Sequence, residues 1–258
     1  MPQPSNQIET ETAGVGRYIY AIVPDQGQHD LGNIGLDEGL VYTIGNGRVA
    51  AVVSDLASGR IRPQRRNLAA HQEVLKQLLR DVTPLPAAFG LLADDDAAIA
   101  RILKDNQDAF LGQLERVSDG VEMGLRMTWD VPNIFEYFVG AHPELQELRD
   151  DFFRDGGNLT QDQMITLGRS FERLLEQDRE DFTDQVEAIM RTCSREVKRN
   201  KCRTEKEVMN LACLVKRSDQ ERFEQAVLQA ARPFDNNFAF DFNGPWAPHN
   251  FVEMDIKL

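Results

Sequence analysis

The stretch Val121-Glu122-Met123-Gly124-Leu125-Arg126-Met127-Thr128-Trp129-Asp130 alternates almost perfectly, with a large apolar side chain at every odd position. A period of two is the pattern of a strand with one face in a core, so Val121, Met123, Leu125, Met127 and Trp129 are expected to point inward. Where this strand belongs decides how the chain is divided. Upstream of it, Tyr18-Ile19-Tyr20-Ala21-Ile22-Val23 is apolar on both faces, as a central strand requires, and Pro24 ends it. Residues 40–44 and 49–54 flank Gly45-Asn46-Gly47, whose Asn-Gly predicts a tight hairpin turn. Asn67 is placed to cap a helix reaching Arg80, with Leu68, His71, Leu75, Leu78 and Leu79 on its inner face. Thr83-Pro84-Leu85-Pro86 must run extended. Asp94, Asp95 and Asp96 supply negative charge to the start of a second helix, which buries Ile99, Ile102, Leu103, Phe110, Leu114 and Val117 and ends before Gly120. Strand, hairpin, helix, extended segment, helix, strand predicts a ferredoxin-like α/β sandwich over residues 17–131, closed by the 121–129 strand. Residues 1–16 are expected to be a loose polar leader.

Residues 132–242 predict a second, α+β domain, so the fold class is α+β with two domains. Pro143 opens a short helix to about Phe153, and Thr160 caps a long helix or helical hairpin over about 160–199. Its apolar residues, from Leu167 and Phe171 through Phe182, Val186 and Ile189 to Cys193 and Val197, recur in steps of three and four. A strand over about 208–215 follows, then a helix with Ser218 and Glu221 in capping-box spacing. The last strand carries Phe234, Phe238, Phe240 and Phe242 on one face, and Gly244-Pro245 is expected to stop it. Residues 243–258 then form a tail. Exposed Trp and Phe are costly, so the tail is expected to close over the body, with Trp246 inserted between the domains and Phe251 anchoring the end.

The chain has 258 residues, 41% hydrophobic and 28% charged, and a net charge of −13. That acidity argues against nucleic acid or an anionic membrane as partner, and no apolar run approaches the roughly 20 residues of a membrane span. Cys193, Cys202 and Cys213 lack metal-ligand spacing, and no phosphate-binding loop or nucleophile elbow is present. No catalytic, cofactor or metal site is therefore expected. The basic run containing Arg191, Arg195, Lys198 and Arg199 reads either as a solvated helix end or as a docking patch for an acidic partner. The loop with Arg60, Arg62, Arg65 and Arg66 invites the same two readings.

The segments Tyr18–Val23, Ala51-Val52-Val53-Ser54, Asn67-Leu68 with His71, Leu85–Gly90, Trp129-Asp130, Asn210-Leu211-Ala212 and Gly244-Pro245-Trp246-Ala247-Pro248-His249-Asn250-Phe251-Val252 occur in a characteristic order. In that order they resemble the GvpF/GvpL family of gas vesicle proteins, GvpF more than GvpL. The family more often has Arg at Ala88, Pro at Ala247 and Tyr at His249. The resemblance implies an accessory or minor structural role at gas vesicles, with the apolar shell protein GvpA and other gas vesicle proteins as partners and no turnover chemistry. It places the protein at the vesicle, a cytoplasmic organelle, and makes Pro245, Trp246, Phe251 and the basic run interaction or interdomain candidates. The alternative is a ferredoxin-like enzyme or ligand-binding protein using an interdomain cleft near His71, Phe89 and Trp129.

Overall fold

A computed structural model describes residues 16–56, 61–154 and 159–253. The expected leader, Gly16 apart, and Arg60 lie outside the described residues. The chain divides into two compact units, the first running to Asp119 and resuming at Trp246, the second comprising Gly120–Pro245.

The first unit is built from β1 (Gly16–Pro24), β2 (Asp30–Gly32), β3 (Val41–Gly45), β4 (Val49–Leu56), α1 (Arg65–Leu78), β5 (Leu85–Pro86), β6 (Leu92–Ala93), α2 (Asp96–Asp105) and α3 (Gln107–Val117). Its sheet runs β2-β3-β4-β1-β5, with β6 also paired to β1. Tyr18 to Ile22 are fully buried, as the doubly apolar pattern of β1 demands. The hairpin turns where Asn-Gly predicts: Gly47 takes φ +87° and the Asn46 carboxamide oxygen accepts from the amides of Arg48 and Val49. Helix α1 starts at Arg65, not at Asn67, whose side chain donates to the Arg62 carbonyl. Leu68 therefore sits in the first turn and is exposed, while His71, Val74, Leu75 and Leu78 face the sheet. The second helix is two, divided at Asn106, whose backbone leaves the helical region at φ −115°, ψ 9° while its side chain donates to the Ile102 carbonyl. Of the three aspartates, Asp95 caps, accepting from the Ala98 amide.

The second unit contains β7 (Gly120–Trp129), α4 (Ile134–Ala141), α5 (Pro143–Phe153), α6 (Gln161–Met190), β8 (Glu196–Asn200), β9 (Glu207–Lys216), α7 (Gln220–Ala231) and β10 (Phe238–Trp246), in sheet order β10-β7-β9-β8. The α+β class holds, but the 121–129 strand does not close the first sheet. It pairs antiparallel with β9 from Gly120 opposite Lys216 to Thr128 opposite Glu207, which moves the expected boundary from 131 to 119. The reason is burial: even Glu122 is buried on this strand, so β7 needs a neighbour on each edge and a cover on each face.

Thr160 caps the helix as expected, in a capping box with Gln163, but the helix ends at Met190 rather than 199. The chain turns, the Arg195 amide donates to the Leu214 carbonyl, and Val197 pairs opposite Cys213 in β8. This strand satisfies the edge of β9 that a continued helix would leave open. Phe171, Leu175 and Val186 are buried along α6, and Phe182 and Ile189 are half-buried. Ser218 does not cap α7; its hydroxyl donates to Asp219 within a short 3-10 turn that leads into the helix. Strand β10 runs through Gly244-Pro245 to Trp246, because an edge strand tolerates a missing N–H. Gly244 has φ +128° and no room for a Cβ against the Glu122 carbonyl, 2.8 Å away. The phenylalanine face is not a buried one: Phe234, Phe238 and Phe240 are grouped with rings 5.1 to 5.4 Å apart, Phe182 joins them, and Phe242 is exposed. Among the described residues, no helix is long and apolar enough to cross a membrane.

Candidate functional site

Residues 247–253 dock on the first unit. Phe251 is fully buried and Ala247 nearly so, the latter joining the core of Tyr18, Tyr20, Val74 and Leu75. Helix α3 holds the backbone of this segment: the Arg116 guanidinium donates to the Phe251 carbonyl, and the Glu253 amide donates to the Gln113 side chain at 2.8 Å. Gln113 returns a bond to the Glu253 carbonyl. Docking is therefore as expected for Phe251 but not for Trp246, which is 42% exposed and does not insert as a pin. It ends an edge strand whose last six residues all face out, so the buried part of the segment begins one residue later. Sequence reasoning missed Gln113 and Arg116, because a polar side chain that binds a distant carbonyl leaves no periodic signal.

Beneath this segment lies a neutral polar network. The Tyr18 hydroxyl accepts from the Gly90 amide and shares a hydrogen bond with His71 Nδ1 at 2.8 Å. Burial pushes the Tyr18 phenol up to about 12, so it stays protonated. Burial, and then the neighbouring His249, pull His71 down to about 4. The His71 Nε2 atom is buried without a hydrogen-bond partner. Tyr20 stands beside the ring at 5.6 Å; its hydroxyl bonds Ser54 and accepts from the Leu36 amide. His71 is 2% exposed and Trp129, in the core of the second unit, is 1% exposed.

In the second unit the basic run is divided. Arg191 closes α6 and pairs with Glu187 of its own last turn. Arg199, on β8, reaches back to three carboxylates of α6: Glu180 at 2.8 Å, Asp184 at 2.5 Å and Glu187 at 2.5 Å. Glu187 is 5% exposed, so Arg199 serves an internal acid rather than a helix end. The spacing of those acids, on one face of α6, was the available sign that a cation would be needed there. Arg179 lies over the Trp129 ring at 5.8 Å and donates to the carbonyls of Thr204, Glu205 and Glu207. His142 and Asp178 meet at 3.0 Å, and burial raises the Asp178 carboxyl. Among the described residues, no three of His, Cys, Asp and Glu gather as a metal would require.

Known proteins give this geometry a context. The solved GvpF structures from Anabaena sp. PCC7120 and Microcystis aeruginosa share the fold, with TM-scores of 0.81 and 0.77 at 24% and 22% identity. Each comparison covers 93% of this chain, and 99% and 100% of the respective relatives. Gas vesicle protein F of Streptomyces sp. (strain CB03234) is 27% identical over 248 residues, covering 95% of this chain and all of the relative. Gas vesicle protein L1 of Halobacterium salinarum is 25% identical over 269 residues, covering 95% and 92%. The model of the gas vesicle synthesis protein GvpL/GvpF family matches residues 16–253. That span takes in both sheets, α6 and the docked segment, and the chain belongs to the GvpL/GvpF family of gas vesicle proteins.

Proposed function

We propose that this gas vesicle protein binds the apolar shell protein GvpA, together with other gas vesicle proteins, and assists assembly at the vesicle without turnover chemistry. The observation that carries the reading is the family match over 16–253, which takes in nearly all the described structure. The surface supports it. Phe153, Met164 and Ile165, at the facing ends of α5 and α6, are 44 to 54% exposed, and Leu228 and Phe242 stand out on α7 and β10. Exposed side chains of this kind suit transient contact with an apolar subunit, while the charge of −13 keeps the carrier soluble. Pro245 and Trp246 are exposed beside them in sequence and are assigned to partner contact, with Arg191, Arg195 and Lys198 as a polar rim. Arg199 and Phe251 act through the fold. Co-expression of a tagged chain with shell protein tests this. The shell protein is expected to co-purify, and to do so less with a Phe153→Ser/Met164→Ser/Ile165→Ser variant of unchanged melting temperature. Absence of the shell protein from the wild-type eluate contradicts the reading.

A further inference from the structure

The first unit holds a cavity of about 400 Å³ where the C-terminal end of α1 faces the loop between β1 and β2. Its size falls in the range of small-ligand sites. The floor is apolar, with Val23, Ala50 and Leu78 each buried, and Val82 and Leu31 partly so. The charged residues facing it are the carboxylates Asp30 and Asp81, with His29 beside them, and no lysine or arginine lines it. Asp30 accepts from the Gly32 amide through one oxygen, which leaves the other available. Both carboxylates are exposed to solvent. Gln77 and Leu78, the last two residues of α1, lie on the wall and bring the negative end of the helix dipole to it, and Asp81 and Val82 follow in the turn just beyond.

These features select one chemistry. An anion would meet two carboxylates and a helix C-terminus. A wholly apolar ligand would strip water from those carboxylates without replacing it. A divalent metal needs several convergent ligands, and the described residues offer no such group. We propose that the cavity binds an alkylammonium group, whether borne on a lysine side chain or on a free aliphatic diamine. The methylene chain lies on Val23, Leu78 and Val82, and the ammonium is met by Asp30, Asp81 and the end of α1. Lining by an edge strand, β2, leaves the mouth open to a polypeptide as well as to a small molecule. The site does not depend on the shell-binding reading.

Calorimetric titration of the full chain at low salt tests the site, with 1,5-diaminopentane and Nα-acetyl-lysine methylamide as probes and 1-pentanol and glutarate as controls. At least one amine is expected to bind with a dissociation constant on the order of 1 mM, and neither control is. Tighter binding of the lysine amide identifies a polypeptide source, and tighter binding of the diamine a free one. Asp30→Asn/Asp81→Asn is expected to weaken binding about tenfold or more at an unchanged melting temperature, because it removes both charge-assisted contacts. If the double variant does not fold, each single substitution reads the same effect. No saturable binding of either amine up to about 20 mM, or binding undiminished by the substitutions, overturns the proposal.

Discussion

In the first unit, residues 247–253 are held by a fully buried Phe251 and by Ala247, which joins the core that contains Tyr18, itself bonded to His71. In the second, β8 is tied to α6 through Arg199 and three carboxylates, with the Arg199 side chain 39% exposed. Both devices fix a segment against a distant helix, one by removing an apolar ring and uncharged polar groups from water, the other by pairing charges at a wetted surface. The first should resist salt and yield to acid. The second should yield to salt and contribute less, because exposed ion pairs are screened.

The largest effect is expected at Phe251. Phe251→Ala leaves the backbone bonds from Gln113 and Arg116 available but empties a buried ring site, at a cost of about 3–5 kcal/mol. Denaturant unfolding of the variant measures this. A loss near that of a surface substitution would remove the claim that burial holds the segment.

Acid comes next. His71 titrates near 6.5 when unfolded and near 4 when folded, so the unfolded chain binds the extra proton first as pH falls. The contribution is fully present above about pH 6.5 and lost progressively toward pH 4, on the order of 3 kcal/mol in all. Melting curves from pH 7 to pH 4 should show the slope, and His71→Gln should flatten it. Equal slopes in both proteins would break the contrast between the units.

Arg199→Met is expected to cost about 1 kcal/mol, discounted because the charge is partly solvated and Arg191 still serves Glu187. The cost should shrink between 50 mM and 1 M salt, as a buried neutral dock would not. Smallest is Trp246→Ala, below about 0.5 kcal/mol in stability, since the ring is 42% exposed. Its effect is expected instead in shell-protein capture.

Much of the fold was legible where a local pattern carries its own physics. The Asn46-Gly47 turn follows from a positive φ, and the Thr160 start of α6 from a capping side chain, which the structure completes with Gln163. The alternation in β7 showed a strand but not its partner, because a period of two says which faces are buried and nothing of which sheet buries them. The end of α6 was hidden for a related reason. Cys193 and Val197 continue the helical spacing, yet they are buried on either side of a turn and in β8. Helix α4 carried a readable sign, Asn133 ahead of an apolar run, and the Asn133 side chain does accept from Phe135 and Glu136. The candidate site was legible in part. Phe251 could be read as an anchor, whereas its polar holders and the exposure of Trp246 depend on long-range contacts.

Deleting the gene in a vesicle-forming cell that has no second family member, then restoring it, tests the central claim most directly. Flotation and vesicle counts by electron microscopy are expected to fall on deletion. Wild type should restore them and the Phe153→Ser/Met164→Ser/Ile165→Ser variant should not, at equal protein level. Vesicles of normal number and shape in the deletion strain would contradict the account.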